Sequence, residues 1–225
     1  MPKVKTLPKI ICIGDIKILK ISMENNDKLN DLLCVFKRNI EHLVYWRRPF
    51  SCIVFNHIYE IKKDYKESGH LCYAIFYNGR IIGCINIGKL RMDEEKLSCR
   101  GINYWIDKNH VRKGIMYNCL KSFEKIFKDN ALDYIMTTIQ EKNIPSVNLV
   151  KKMGFEKPGV DEFFIDFLVD EETGDEVNVI VFRKILSKRA RQKHPPPCVT
   201  QKEISMSKNE SHIQDENPKV DALKI

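Results

Sequence analysis

A chain of 225 residues, 43% hydrophobic and 30% charged, has room for one globular domain or two small ones. Its 38 basic and 30 acidic side chains give a net +8, which excludes an acidic solvating chain. The excess is too thinly spread for the dense basic stripe of a nucleic-acid reader: residues 1–186 hold 30 basic and 25 acidic groups, and residues 187–225 hold 8 and 5.

Ile10 to Ile21 is rich in isoleucine and loosely alternating, which predicts a strand. Asn25 or Asn26 is placed to cap a helix whose apolar positions are Leu29, Leu32, Leu33 and Phe36. A second helical stretch through Leu43 to Trp46 ends at Arg48-Pro49, and another runs from Ile53 to Lys66 and stops at Ser68-Gly69. Leu71–Tyr77 and Arg80–Leu90 flank Asn78-Gly79, the strongest short hairpin signal. Ser98–Ile106 reads as the next strand, Lys113–Asp129 as an amphipathic helix and Leu132–Ile139 as a buried strand. Ile144–Met153 is a short helix with Gly154 past its end. Phe163–Leu168 and Val177–Ile185 are strands around an acidic loop containing Thr173-Gly174. Antiparallel strands come first and an αβα unit later, so the fold class is α/β with a mixed sheet.

The composition changes near residue 187. Residues 187–225 carry no aromatic side chain and four of the nine prolines, and are expected to form a disordered tail behind a domain spanning 1–186. The basic run Lys188-Arg189-Ala190-Arg191-Gln192-Lys193 reads as solvated tail, with a nuclear-import signal or a nucleic-acid contact as the alternative. No segment approaches the ~20 apolar residues of a membrane span, and Met1 to Gly14 lacks the apolar core of a signal peptide. No membrane partner is expected, and the expected compartment is the cytoplasm. The eight cysteines form no CxxC pair and no zinc spacing, so no metal is expected and the thiols read as free and buried.

Two segments carry chemistry. In Asn103 to Leu120 a strand runs into a basic, glycine-containing turn and then a helix. The first amides of a helix lack internal partners and the dipole there is positive, which makes a phosphate site if the backbone can come close. Gly114 permits that approach, and Arg112 and Lys113 add charge. In Asn143 to Phe155, Pro145 suits a first helical turn, Asn143 a cap, Ser146 the first turn, and Gly154 the left-handed position after the helix. Each of these features also has a purely structural explanation.

Together the two segments resemble the GCN5-related N-acetyltransferase (GNAT) family. Val111-Arg-Lys-Gly114-Ile-Met116 is similar to its pyrophosphate-binding motif Arg/Gln-x-x-Gly-x-Gly/Ala, and Asn143, Ser146, Lys152, Gly154 and Phe155 match the later pattern Asn-x-x-Ser…Lys-x-Gly-Phe. Asn39-Ile-Glu-His-Leu43 with Trp46, and Gly101-Ile-Asn-Tyr104-Trp105, look like the RimJ/RimL branch, whose members modify protein N-termini. The resemblance spans residues 10–186 and implies a GNAT fold, with a mixed central sheet, two splayed parallel strands and flanking helices.

It also implies an acetyl-CoA-dependent acyltransferase acting on an amine, most simply a protein N-terminal α-amino group. A polyamine or other small amine is the alternative acceptor, and a non-catalytic binding domain the alternative class. In the implied site the pantetheine arm pairs near Trp105 and Ile106. The pyrophosphate rests on the amides of Val111, Arg112, Lys113, Gly114, Ile115 and Met116. Asn143 and Lys152 contact the cofactor, and Ser146 contacts the thiol, so Ser146 and Asn143 are the candidate catalytic pair. Four positions depart from the family pattern: Val111, where Arg or Gln is usual; Arg112, at a usual glycine position; Met116, whose bulk is expected to narrow the phosphate cradle; and Gly101, where many relatives carry a glutamate base. His110 beside the turn is a candidate proton relay or a solvated loop residue. Asp93, Glu94 and Glu95 read as a polar hairpin end. The acidic set Asp161, Glu162, Asp166, Asp170, Glu171, Glu172, Asp175 and Glu176 reads as a rim for a basic acceptor or as a solvated loop.

Overall fold

The computed structural model describes residues 7–45, 70–88, 90–93, 96–158, 167–169 and 176–187. The expected helix Ile53–Lys66, most of the acidic set and the tail from residue 188 onward lie outside the described residues. By its contacts the chain divides into a unit from Met1 to His194 and a second from Pro195 to Ile225. All described residues belong to the first.

Ten strands and three α-helices are described: β1 (Ile10–Ile13), β2 (Ile16–Lys20), α1 (Asn26–Arg38), β3 (Leu71–Tyr77), β4 (Arg80–Ile87), β5 (Leu90–Asp93), β6 (Lys96–Arg100), β7 (Ile102–Ile106), α2 (Ile115–Asp129), β8 (Tyr134–Gln140), α3 (Ile144–Lys152), β9 (Phe167–Val169) and β10 (Glu176–Ile185). They form two five-stranded sheets, ordered β1-β2-β3-β4-β7 and β5-β6-β8-β10-β9. Only the β6–β8 pair is parallel among the described ladders.

Several elements differ from expectation for local reasons. The single strand Ile10–Ile21 is a hairpin, because Gly14 at φ +54° turns the chain back and sets Ile13 opposite Ile16. The helix expected from Leu43 is absent as far as Tyr45; α1 instead ends in turns over residues 39–45. The strand Arg80–Leu90 breaks at Gly88, and Ser98–Ile106 breaks at Gly101. Gly101 has φ +120°, a conformation that side-chain-bearing residues rarely adopt. At that bend one long hairpin passes from one sheet to the other: β5–β6 belongs to the second sheet and β4–β7 to the first. The Asn78-Gly79 turn forms as expected, both residues at positive φ.

Both faces of the first sheet are covered, which explains why Cys72 to Ile75 and Ile81 to Ile87 are continuously buried rather than alternating. Along β3, Cys72 and Ala74 face α1 with Leu29, Leu32, Phe36 and Trp105. Tyr73 and Ile75 face α2 with Ile115, Cys119, Phe123 and Phe127. The rings of Tyr73 and Phe123 meet edge to face at 5.0 Å, a geometry worth ~1 kcal/mol beyond burial. Of the cysteines, 72, 84, 99 and 119 are buried as expected, but Cys12 and Cys34 are exposed, being on outward positions of β1 and α1.

Candidate active site

The two sheets part where β7 and β8 would otherwise pair. At Gly101 they are still joined, by Gly101 N–H donating to Met136 C=O and Thr137 Oγ1 donating to Ile102 C=O. Beyond that point β7 pairs with β4 and β8 with β10, and no ladder links β7 to β8 among the described residues. A cavity of about 1010 Å³ adjoins this opening, walled by β7, the 110–117 turn and the start of α3. Such a volume is at the upper end of small-molecule sites.

One wall is the turn into α2. Asp107 caps a short 3-10 turn, Lys108–His110, by accepting from Asn109 N–H at 2.9 Å. Arg112 then takes φ +60° and Gly114 φ +74°, and Gly114 opens α2 with no side-chain cap. Asn118 N–H makes the first helical bond, to Gly114 C=O. The amides of Ile115, Met116 and Tyr117 thus precede the helical ladder and are available to an anion. A Cβ built on Gly114 would meet nothing within 4 Å, so the space above this turn is open. Arg112 and Lys113 are both exposed there.

The opposite wall is α3. Asn143 caps it, its side-chain oxygen accepting from Ser146 N–H at 3.4 Å, and Pro145 occupies the first turn, where no N–H is missed. That cap engages the Asn143 carbonyl and leaves its amide nitrogen for a ligand. Gly154 at φ +77° ends the segment, and Phe155 folds back onto the core. Lys152 Nζ lies 5.2 Å above the Tyr117 ring at the cavity edge.

Trp105, Ile106, Val111, Arg112, Gly114, Ile115, Met116, Asn143, Ser146 and Lys152 all line this cavity. Lys113 does not, though it belongs to the same turn. Trp105 contributes little of its ring, which is buried against Phe36 at 5.6 Å on the α1 side of the sheet. Met116 both borders the cavity and packs in the core. Gly101 lies at the sheet bend. His42 and Tyr45, from the turns after α1, also line the cavity, as do Tyr104, His110 and Tyr117. His42 lies within the run Asn39–Leu43 that resembles the RimJ/RimL branch, but nothing in its local spacing ties it to cavity residues 62 to 110 positions away.

A buried polar network holds the phosphate-side turn. Asn39 donates from Nδ2 to Asp107 Oδ2 at 3.0 Å and to Val35 C=O at 2.8 Å, and accepts from Lys108 N–H at 2.9 Å. Arg38 reaches the same Asp107 oxygen through Nε and Nη2. Burial by itself would raise the Asp107 pKa, but donation from Asn39, Asn109 N–H and Arg38 outweighs it and holds the carboxyl at about 2. His110 Nδ1 sits 3.5 Å from Asp107 Oδ1, is buried and closes no hydrogen bond. Its ring contacts Tyr77 edge to face and also borders a second cavity of about 960 Å³ beside α1.

Among the described residues, no helix is long and apolar enough to cross a membrane, and no group of three or more His, Cys, Asp or Glu has metal-binding geometry. The solved structures it resembles include the ribosomal-protein-S5-alanine acetyltransferase of Vibrio fischeri, 18% identical, covering 80% of this chain and 97% of that one with a TM-score of 0.61. The RimL ribosomal L7/L12 alpha-N-protein acetyltransferase in complex with coenzyme A is 15% identical, covering 79% and 98% with a TM-score of 0.60. RimJ of Mycobacterium smegmatis in complex with CoA-disulfide is 17% identical, covering 80% and 84% with a TM-score of 0.60. At these identities the likeness is one of fold. No curated protein matches the sequence. The acetyltransferase (GNAT) domain model matches residues 25–156, more than half of the chain, and takes in α1, the sheet opening, the α2 turn and α3. The chain therefore belongs to the GNAT family and is an acyltransferase.

Proposed function

We propose that the protein transfers an acetyl group from acetyl-CoA to the α-amino group of a protein N-terminus. The observation that carries the cofactor assignment is the open turn at Gly114, where three helix-start amides and the Arg112 side chain border free space and Lys113 adds charge to the same exposed turn. When bound, acetyl-CoA supplies an acetyl thioester activated for attack by an amine. Ile115, Met116, Arg112 and Lys113 would hold its phosphates, with Val111 and Gly114 shaping the approach. Trp105 and Ile106 on β7 would border the pantetheine arm, and Lys152 adds a cation at the rim. Asn143 would orient the ligand through its amide nitrogen, and Ser146 would offer its hydroxyl to the thiol end.

The acceptor follows from the chemistry of attack. Only a neutral amine is nucleophilic, and an α-amino group has a pKa of about 7.7–8.0 against about 10.4 for lysine. Near neutral pH roughly a tenth of α-amines are already free, compared with well under about 1% of lysines. Two neighbours of similar fold are named for acetylating ribosomal proteins, one at an alanine and one at an α-amino nitrogen. Acceptors would be tested with peptides bearing free or blocked N-termini, with and without lysine, alongside spermidine. Faster acetylation of a blocked, lysine-containing peptide, or of spermidine, would overturn the assignment. Cofactor binding is tested separately by thermal shift: acetyl-CoA at 100 times its Kd should add about 2.7 kcal/mol of stability.

A further inference from the structure

Tyr104 and Ser146 come from different elements and meet in the cavity. Trp105 turns its ring toward α1, so strand alternation sends Tyr104 to the opposite face of β7. There it packs against the α2-side core and lines the same cavity as Ser146 and Asn143. Its Oη is buried and closes no hydrogen bond. The Ser146 hydroxyl stands close enough to lower the phenol's pKa, but burial dominates and pushes it up to about 12, so Tyr104 stays protonated and is a donor. A buried hydroxyl without a partner is destabilising. A polar group in the cavity would give the Tyr104 hydroxyl a route to a partner.

We infer that Tyr104 is a positioning residue for Ser146: with sulfur in the cavity, Tyr104 O–H donates to Ser146 Oγ, and the serine's own proton is left to point at sulfur. A serine hydroxyl carries one donor and two acceptor sites on a freely turning bond. A fixed donor on one acceptor site removes the rotamers in which its proton faces away. Hydrogen bonds in such a chain also polarise one another. No bond to carbon or sulfur is made or broken at either hydroxyl. The role rests on the acetyl-CoA reading above, and deepens it.

The test uses the full chain and two probes, coenzyme A and desulfo-coenzyme A, which lacks the thiol. By calorimetric titration the wild type is expected to bind coenzyme A about fivefold more tightly, the equivalent of one hydrogen bond. Tyr104→Phe and Ser146→Ala should each abolish that preference, and the double variant should lose no more than either alone. Ser146→Thr, which keeps a hydroxyl, should retain it. Tyr104→Phe should melt no lower than wild type, since it removes an unsatisfied group, and should lower kcat about tenfold with KM for acetyl-CoA nearly unchanged. A Tyr104→Phe protein that keeps the preference, or losses that add in the double variant, would overturn the inference. Equal binding of both probes by the wild type would also overturn it while leaving the cofactor site standing. Binding of neither probe would overturn the inference together with the acetyl-CoA reading.

Discussion

Asn39 and Asp107 lie 68 residues apart in sequence and are joined by a buried 3.0 Å hydrogen bond. The bond ties the end of α1 to the turn that leads into the phosphate-side wall. Asn39 is a C-cap on one element and, through its side chain, a structural member of another. Asn39→Ala would leave the Asp107 carboxylate and the Lys108 amide each short of a partner. The expected cost is roughly 2 kcal/mol, read as a lower urea midpoint at unchanged m-value, with weaker coenzyme A binding as the turn loosens.

Two buried carboxylates make the fold acid-sensitive. Asp107 is held at about 2, and so is Glu124, where burial would raise the pKa but Lys128, Lys184 and Lys121 outweigh it. Both folded values lie below the unfolded values of about 3.9 and 4.3. The unfolded chain therefore binds more protons in between, and stability from these groups is complete above about pH 5 and lost as pH falls toward 2. Melting curves from pH 7 to pH 2 should show that decline, and Asp107→Asn should flatten it. A slope unchanged by the substitution would exclude Asp107 as a source.

Glu124 also supports α3 indirectly. Lys184 Nζ bonds Glu124 Oε2 at 2.9 Å and donates to Met153 C=O at the end of α3. Burial and two neighbouring lysines pull the Lys184 pKa down, and only Glu124 pulls it up. Glu124→Ala would leave a half-buried ammonium facing Lys121 and Lys128. The expected loss is about 2–3 kcal/mol, below that of a fully buried pair because those two lysines reach solvent. Glu124→Ala with Lys184→Met should recover part of it in a chemical denaturation series.

Gly114 is predicted to separate folding from binding. Its left-handed φ costs another residue ~1–2 kcal/mol, yet no protein atom stands in the way of a side chain. Gly114→Val should fold with a melting point several degrees lower and lose coenzyme A binding. Affinity equal to wild type would move the phosphate site elsewhere.

Gly83 tests the sheet opening from the other side. A Cβ there would lie 2.5 Å from the Trp105 carbonyl oxygen, across the β4–β7 pairing of Gly83 with Ile106. Gly83→Ala must push β7 away from β4 and should cost roughly 1–3 kcal/mol. Since Trp105 and Ile106 also wall the cavity, coenzyme A affinity should fall with it; calorimetry on the folded fraction separates the two effects.

Much of this protein was legible in one dimension. The Asn78-Gly79 hairpin, the Asn25 cap and apolar face of α1, the Gly114 start of α2 and the Asn143-to-Phe155 segment all depend on neighbours within a few residues. Local sterics, capping and periodicity act at that range, and the motif residues of the site lie in those segments. The sequence did not disclose that Gly101 bends one hairpin across two sheets, since a glycine alone does not state its φ. Nor could it join Asn39 to Asp107 or Lys184 to Glu124, or bring Tyr104 and Ser146 to one cavity. Those pairs span 42 to 68 positions, and only sheet pairing and helix packing determine which buried polar groups meet. The sequence by itself determined the elements and the chemical types available; the tertiary structure decided which of them share a cavity, because burial and partner choice are properties of the assembled core.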